Sequence, residues 1–430
     1  MHVHQMQLIA SVEDILKECQ CREVESFDVY FDVKMFEDAK RLLDAWKQDM
    51  PVEARDYISL EGANASEVRL FTHIYAAFNI FFQKFRLASD VAGVVYNPAG
   101  AIHPYRFVTH VLARLLEDYP NNFCLSTRTP CTSILPPSTS TPYYTILTPH
   151  GAIFTPHVVH ATNAWCSHLL QPLRTKIFCV RGNMSAQRPG NSLSPSTLDG
   201  GRSWVFYDKH IGYDYLTQLP NGENELMFGG GYFQGGDDGL SELGNNDDSS
   251  FNPGIAAHLA GSLPILFGEH NWGVETTPAI PPEKEANSRW FNGRVKAFWS
   301  GIIGISADRI PWVGRVPTKL SGRLAPPASS TPFLHKTDKF TISSSPLGED
   351  QTDQIEHICR EPKTAAPGEW LSAGYSGEGM AHAFMSGRAL GLQILGRNEE
   401  AASWFPECMG VTEERWKKAH PEDLIEELWG

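Results

Sequence analysis

The chain has 430 residues and a formal net charge of −14, because 50 Asp and Glu residues outnumber 36 Lys and Arg residues. Hydrophobic residues make up 42% of it and charged residues 20%, which is typical of a globular protein with a large core and excludes uniform disorder or a coiled coil. The acidic balance also argues against a nucleic-acid partner, since phosphate binding requires a basic surface.

The eight cysteines are too few for a disulfide scaffold, so we expect reduced thiols in a cytosolic-type compartment. No apolar run reaches the ~18 residues of a membrane span, and the first residues lack the basic start and apolar core of a signal peptide. The sequence therefore predicts a cytoplasmic protein without a membrane partner. The histidines have no Cys or carboxylate at a fixed ligand spacing, so no metal site is expected.

The first part of the chain is predicted to contain three helices and a strand. Apolar residues recur at helical spacing over residues 8–20 and 104–118, and residues 34–49 form an amphipathic surface helix that ends before a proline. Pro104 lies in the first turn of its helix, where a missing N–H costs little. Residues 28–33 alternate polar and apolar side chains, which favours a strand.

The rest of the chain is predicted to be rich in short strands, at 132–135, 143–148, 152–162, 176–181, 202–207, 225–229 and 370–373. A helix is expected over residues 379–395. Residues 234–250 are polar and acidic, which predicts a mobile loop. Residues 317–367 are rich in Pro, Ser, Thr and Lys and show little periodicity, which predicts a disordered insertion.

Residues 68–83 are apolar nearly throughout and fit neither the helix nor the strand period. Two interpretations stay open. The stretch is a buried helix, or it is a translated intron, since Val-Arg and Phe-Phe-Gln can be encoded by splice-site consensus sequences. Its deletion would join Glu67 to Lys84 within a plausible amphipathic helix.

The most informative stretch runs from Leu371 to Leu395. A strand ends at Ala373, a glycine-rich turn follows, and a helix begins near Gly379. A helix N-terminus exposes unpaired N–H groups and a partial positive charge, so it suits an anion or an electron-rich carbonyl such as the pyrimidine edge of a flavin. The alternative is a turn with a purely structural role.

Four motifs occur in a fixed order along the chain: Ala161-Thr162-Asn163-Ala164, Val180-Arg181-Gly182, Asp308 to Gly314, and Gly374 to Met380. Jointly they resemble the flavin-dependent amine and amino-acid oxidoreductases of the D-amino-acid oxidase, glycine oxidase and sarcosine oxidase superfamily. The likeness extends from about residue 20 to residue 400. Within that superfamily, the chain resembles the fungal branch similar to gamma-glutamylputrescine oxidoreductase.

The resemblance implies an α/β fold, α+β overall, with a Rossmann-like FAD-binding domain interleaved with a mostly antiparallel β-sheet substrate domain. It implies an FAD-binding domain at 98–170 and 298–400, a substrate domain at 28–95 and 171–297, and a C-terminal tail at 401–430.

The chain departs from this family in one respect. The family begins with a βαβ unit that carries G-x-G-x-x-G and holds the pyrophosphate at a helix N-terminus, and no such pattern occurs in this sequence. We therefore expect an N-terminally truncated chain whose FAD-binding domain lacks its first βαβ unit. The alternative to an active enzyme is a flavin-free remnant or pseudoenzyme.

The resemblance also implies where FAD binds. The isoalloxazine ring would lie against Ser376, Gly377, Glu378, Gly379 and Met380. The phosphate and ribityl part would lie near Ala161 and Thr162, and the adenine would lie beside Cys131 and Thr132. The dipole of the helix predicted to begin near Gly379 would stabilise negative charge on the ring. A small buried thiol is the alternative interpretation of Cys131.

The resemblance implies oxidation of a C–N bond of an amine or amino acid to an imine by hydride transfer to flavin, with oxygen as acceptor. Candidates to line the substrate side are His103, Arg181, Tyr215 and Arg309, each with a structural role as its alternative. Relatives with covalent flavin have Cys where Gly301 falls, so non-covalent FAD is expected. Some relatives clamp a substrate carboxylate with Arg at the position of Ile303, so a larger amine is expected here. No catalytic base is assigned, because hydride transfer depends mainly on orientation and desolvation.

Overall fold

The computed structural model describes residues 15–62, 86–193, 199–208, 212–275, 293–328 and 364–429. The chain forms two compact units. Unit 1 comprises Met1–Leu125 and Cys179–Ile303, and unit 2 comprises Ser126–Phe178 and Gly304–Gly430. The functional domain boundaries given above stay a prediction. The apolar stretch 68–83 and residues 329–363 of the predicted insertion lie outside the described residues.

The strands follow one another in the order β1 Arg22–Tyr30, β2 Ile58–Glu61, β3 Gly93–Ala101, β4 Ser133–Leu135, β5 Tyr144–Thr148, β6 Gly151–Thr155, β7 His157–His160, β8 Ile177–Gln187, β9 Arg202–Tyr207, β10 Asp214–Gln218, β11 Leu226–Gly229, β12 Val295–Ser306, β13 Trp312–Arg315 and β14 Gly368–Ala373. The α-helices are α1 Val33–Asp49, α2 Pro104–Asp118, α3 Cys166–Leu169, α4 Pro253–Phe267, α5 Glu269–Trp272, α6 Thr318–Ser321, α7 Gly379–Ile394, α8 Asn398–Ala402, α9 Glu413–Lys418 and α10 Pro421–Trp429.

Unit 1 is built on a large, mostly antiparallel sheet. Among the described residues its eight strands lie in the order β12-β8-β11-β10-β9-β1-β3-β2, and the β1–β9 pair is parallel. Side chains alternate across a strand, so Phe27 of β1 and Trp204 of β9 point to the same face and are completely buried there. Helix α4 covers this face with Ile255 and Leu259. The expected mixed α/β fold with a large antiparallel sheet is confirmed.

Unit 2 contains two three-stranded sheets among its described residues, β13-β14-β7 and β4-β5-β6. Strand β14 is buried along its whole length and pairs in parallel with β7, so that Leu371 lies opposite His160. Helix α7 follows β14 after a tight turn and packs against it through Leu390 and Trp370. The end of β7 and the turn after β14 are therefore neighbours in space.

The predicted helices at 34–49 and 104–118 are confirmed. Helix α1 begins after Asp32, whose side chain accepts a hydrogen bond from the N–H of Met35 at 2.9 Å and so caps the helix. Helix α2 has Pro104 at its first position. Within the described part of the chain, no helix is both long and apolar enough to cross a bilayer.

Four predicted elements need correction. The strand predicted over 28–33 is β1 Arg22–Tyr30, because Asp32 caps helix α1 and Val33 begins it. The strand over 152–162 is two strands, since β6 and β7 join different sheets on either side of Pro156, which has no N–H to continue a ladder. The described end of the 8–20 helix is a turn over residues 16–20. The insertion over 317–367 is ordered at its start, where α6 forms and Arg323 donates to the buried carboxylate of Glu369 at 2.8 Å.

Candidate functional site

The turn between β14 and α7 is held by the end of strand β12. The backbone N–H of Ser376 donates to the carbonyl of Gly304 at 2.8 Å, and the Ser376 hydroxyl accepts from the N–H of Ser306 at 3.1 Å. These two bonds fix Ser376 in the left-handed region, at φ 51°, where a side chain other than that of glycine is strained. Hydrogen bonds to neighbouring residues therefore hold the turn in this strained conformation.

Asn163 holds the same turn from the opposite end. Its side-chain oxygen accepts from the N–H of Gly374 at 2.9 Å and from the N–H of Tyr375 at 3.4 Å. A Cβ on Gly304 would lie 2.5 Å from that oxygen, so only glycine leaves room for it. Within unit 2, the structure therefore brings together three of the four motifs found in the sequence.

Arg415 supports the end of β12 from the C-terminal segment. Its guanidinium donates two hydrogen bonds, of 2.8 and 2.9 Å, to the carboxylate of Asp308. The guanidinium carbon also lies 3.9 Å from the ring centre of buried Trp312. The hydroxyl of Ser306 donates to the same carboxylate at 2.6 Å and accepts from the indole N–H of Trp312 at 2.8 Å. Burial raises the pKa of Asp308, but hydrogen bonds from Arg415 and Ser306 outweigh it and hold that pKa below its ordinary value.

One face of the turn is open. Gly377 and Glu378 are exposed, Met380 is 45% exposed, and no atom lies within 4 Å of a Cβ placed on Gly377. Glu378 occupies the N-cap of α7 without a capping side-chain bond. Among the described residues, no acceptor meets the backbone N–H groups of Gly379 and Met380. These donors and the helix dipole suit an electron-rich group placed on the turn.

The other predicted flavin residues lie on two further segments of unit 2. Ala161 and Thr162 are exposed and directly precede Asn163, so they continue the surface of the turn. Cys131 and Thr132 lead into β4, where the N–H of Thr132 donates to the carbonyl of Leu147 at 2.9 Å. Burial raises the pKa of the Cys131 thiol. Contact of these four residues with a cofactor stays a prediction.

A buried ion cluster fixes the strands beneath the turn. Glu369 of β14 is 2% exposed, accepts from Arg323 at 2.8 Å and lies 2.8 Å from Nε2 of His160 at the end of β7. Burial raises the pKa of Glu369, but the bonds from Arg323 and His160 outweigh it and keep that pKa low. The cluster pins the register of β7 against β14 and hence the start of the Ala161–Asn163 segment.

A family model described as "FAD dependent oxidoreductase" matches residues 4–391 of the chain. The chain belongs to this family. FAD is therefore its expected cofactor, and the turn described above lies inside the matched region. No curated protein sequence matches the chain significantly.

Solved structures share the fold of this family member. Glycine oxidase from Geobacillus kaustophilus is 15% identical, with a TM-score of 0.57 over 95% of this chain and 81% of that one. L-proline dehydrogenase from P. horikoshii is 14% identical, with a TM-score of 0.59 over 97% and 83%. A thermally stable mutant of fructosyl peptide oxidase is 10% identical, with a TM-score of 0.57 over 95% and 79%. At these identities the likeness concerns the fold.

The residues of the turn fit one part of FAD. The open space above Gly377 and the unpaired N–H groups of Gly379 and Met380 would hold the edge of the flavin ring. The pyrophosphate fingerprint G-x-G-x-x-G is absent from all 430 residues, so the phosphates have no comparable cradle in this sequence. The fit therefore applies to the ring side of the cofactor.

Arg181, one predicted substrate residue, has internal partners. Its guanidinium donates to the buried carboxylate of Glu242 at 2.6 and 3.1 Å and to the carbonyl of Asp247 at 3.3 Å. Glu242 also accepts from Asn252 at 2.7 Å. The acidic loop over 234–250, which the sequence predicts to be mobile, is instead anchored to the sheet at Glu242. Contact of Arg181 with substrate stays a prediction.

The three other substrate candidates lie apart along the chain. His103 occupies the N-cap position of α2 without a side-chain capping bond, and burial lowers its pKa. Tyr215 is half-buried on β10, and burial raises its pKa to about 12. Arg309 follows β12 at φ 61° and lines an open pocket in unit 2 together with Lys418 and His420. Their roles in binding substrate also stay predictions.

Sequence reasoning missed the residues that hold the turn. Asn163 lies inside a quoted motif and Gly304 lies four residues before the Asp308 motif, but spacing alone does not show that a side-chain amide reaches a turn 211 residues later. Ser306 precedes the Asp308 motif by two residues. Arg415 lies beyond the matched region, and the sequence holds no signal for its pairing with Asp308.

Proposed function

We propose that the protein oxidises the C–N bond of an amine or amino acid to an imine by hydride transfer to non-covalent FAD, with oxygen as acceptor. The observation that carries the proposal is the strained, open turn at Gly374–Glu378, held by Asn163 and by the end of β12. Strained backbone that its surroundings over-determine is typical of functional sites. When bound, FAD takes up the hydride from the substrate carbon.

The chain's own contribution is to preorganise charge stabilisation at the ring. Asn163 and Ser306 hold the turn rigid, so the N–H groups of Gly379 and Met380 need no reorganisation when negative charge develops nearby. The dipole of the 16-residue helix α7 acts in the same direction. No dedicated base is required for hydride transfer from a neutral amine that is well oriented and desolvated.

The substrate is proposed to be a larger amine, in line with the resemblance to the branch similar to gamma-glutamylputrescine oxidoreductase. Ile303 stands where some relatives have a carboxylate-binding Arg, which argues against a simple α-amino acid. His103, Arg181, Tyr215 and Arg309 remain the proposed substrate-side residues. We also propose a cytoplasmic location, since the cysteines of the described part of the chain are free thiols.

Binding and reduction of FAD test the proposal. The purified protein is titrated with FAD, and amines are then added without oxygen. We expect saturable flavin binding and bleaching of the flavin absorbance by an amine, with oxygen consumption when air is admitted. Gly377→Glu should abolish binding by filling the open face with a negative charge, whereas Gly387→Glu, at an exposed site further along α7, should not. Protein that never retains flavin would instead favour the flavin-free remnant.

A further inference from the structure

Arg415 uses every hydrogen-bond donor of its guanidinium on backbone and side chain near the end of strand β12. Two bonds go to the carboxylate of Asp308. The other three go to the carbonyls of Ile310 at 2.5 Å, Pro311 at 2.9 Å and Gly410 at 3.3 Å. A guanidinium carries five N–H donors in a fixed planar fork, so an ammonium cannot replace it here. These five bonds hold the backbone that follows β12 in one conformation.

The segment that carries Arg415 packs into the same core as the strand before the turn. Ala419 belongs to the buried cluster that also contains Ala373, the last residue of β14. The indole N–H of Trp416 donates to the carbonyl of Pro172 at 2.7 Å. The position of Arg415 in unit 2 is therefore fixed by contacts of its neighbours as well as by its own hydrogen bonds.

One buried residue, Ser306, connects Arg415 to the turn. Its hydroxyl lies between the carboxylate of Asp308 and the indole of Trp312, and Arg415 contacts both of these groups. Its backbone N–H donates to the hydroxyl of Ser376 at 3.1 Å, which is long for a hydrogen bond. A small displacement of Ser306 would break this bond and let the strained backbone of Ser376 relax.

We propose that Arg415 is a positioning residue for the flavin, which acts through Asp308 and Ser306 to hold the turn in the conformation that receives the ring. A looser turn has to be ordered when FAD binds, and this ordering lowers the affinity. The inference rests on the proposed function, because it takes the turn as the flavin site. A purely structural role would lower the free energy of unfolding but leave the Kd for FAD of fully folded protein unchanged.

Titration with FAD, in buffer where urea unfolding shows each variant to be at least about 99% folded, separates the two roles. Arg415→Lys keeps the charge but lacks the five-donor fork, so we expect it to bind FAD about three- to tenfold more weakly. Lys418→Gln, which breaks an exposed ion pair with Glu414 in the same helix, should bind FAD as the native chain does. An unchanged Kd in folded Arg415→Lys protein would overturn the proposal.

A double-mutant cycle tests the route from Arg415 to the turn. Ser376→Ala keeps the left-handed backbone but removes the hydroxyl that accepts from Ser306. If Arg415 acts through this bond, Arg415→Lys should weaken FAD binding no further in the Ser376→Ala protein. A further loss as large as that of Arg415→Lys alone would show that the two residues act independently, and the proposed route would be wrong.

Amide hydrogen exchange without FAD separates this inference from the proposed function. The N–H groups of Gly374 and Ser376 are bonded to Asn163 and Gly304, so their exchange reports on the turn directly. Arg415→Lys should speed the exchange of both about tenfold and leave strand β5 of the same unit unchanged. Native protein that never retains FAD would overturn the proposed function, whereas equal exchange in the two proteins would overturn the positioning of the turn by Arg415.

Discussion

Arg415 and Asp308 form a two-pronged ion pair, with N–O distances of 2.8 and 2.9 Å, that joins the C-terminal segment to the end of strand β12. The side chain of Arg415 is 11% exposed and that of Asp308 is 26% exposed, so the pair is largely removed from water. The carboxylate of Asp308 also accepts a hydrogen bond from the hydroxyl of Ser306. The backbone N–H of Ser306 in turn donates to the hydroxyl of Ser376. A segment outside the family match thus supports the candidate flavin turn.

Arg415→Gln should destabilise unit 2 by roughly 2–3 kcal/mol, because it leaves a half-buried carboxylate without its ion pair. Arg415→Lys should recover part of the loss, since an ammonium keeps the charge but not the two-pronged geometry. Urea unfolding measures both effects. The matched control is Lys418→Gln, which breaks an exposed ion pair with Glu414 in the same helix and should change stability little. Equal losses in the Arg415→Gln and Lys418→Gln proteins would refute this account.

Asn163 is predicted to act on the turn through its side-chain oxygen and not through its left-handed backbone, at φ 45°. Asn163→Asp keeps the acceptor and should retain stability. Asn163→Gly keeps the backbone but removes the acceptor, so it should lose about 1–2 kcal/mol in urea unfolding and weaken FAD binding about tenfold. If Asn163→Gly binds FAD as the native chain does, the hydrogen bond to Gly374 has no role in the site.

Local periodicity predicted several regular elements of this fold, but not strands β2, β3 and β12 or the contacts that hold the site. Helices α1 and α2 show a clear 3.6-residue pattern, and their bounds were predicted to within a residue. Helix α4 was missed because it is apolar around most of its circumference and contains Pro264. Its buried position comes from packing against the sheet, which no local pattern encodes.

The same limit applies to the functional residues. The glycine-rich turn could be recognised from Gly374, Gly377 and Gly379 because a strand, a turn and a helix follow one another within a few residues. The pairing of Arg415 with Asp308 joins residues 107 positions apart, and such a pairing is decided by tertiary folding alone.

Gly377 and Gly387 offer a matched pair for testing backbone strain at the turn. No atom lies within 4 Å of a Cβ at either position, but Gly377 has a φ of 86° whereas Gly387 lies within helix α7. Gly377→Ala should therefore cost about 1–2 kcal/mol, and Gly387→Ala should stabilise the protein by about 0.5–1 kcal/mol. Chemical unfolding of both variants measures the difference. Effects of the same sign would show that φ does not decide the outcome.

The free energy of unfolding should depend on pH through Asp28. Burial raises the pKa of this carboxyl from its ordinary value of 3.8 to about 6, so the folded state disfavours its ionised form. The contribution of Asp28 to the free energy of unfolding is complete below the pKa that this carboxyl has in the unfolded chain. It is lost as the pH rises through the pKa that the carboxyl has in the folded chain. Asp28→Asn removes this loss, so the variant should match the native chain below about pH 4 and exceed it by up to about 3 kcal/mol above about pH 7.

Unfolding midpoints of the Asp28→Asn and native chains, measured side by side across this range, check the prediction. Other titrating groups, such as His258 paired with Asp214, are present in both proteins, so their contributions cancel in the difference. A difference that stays constant with pH would mean that Asp28 is not buried as an unpaired acid. A native chain more stable than the Asp28→Asn protein above about pH 7 would mean that the carboxylate has an internal cationic partner.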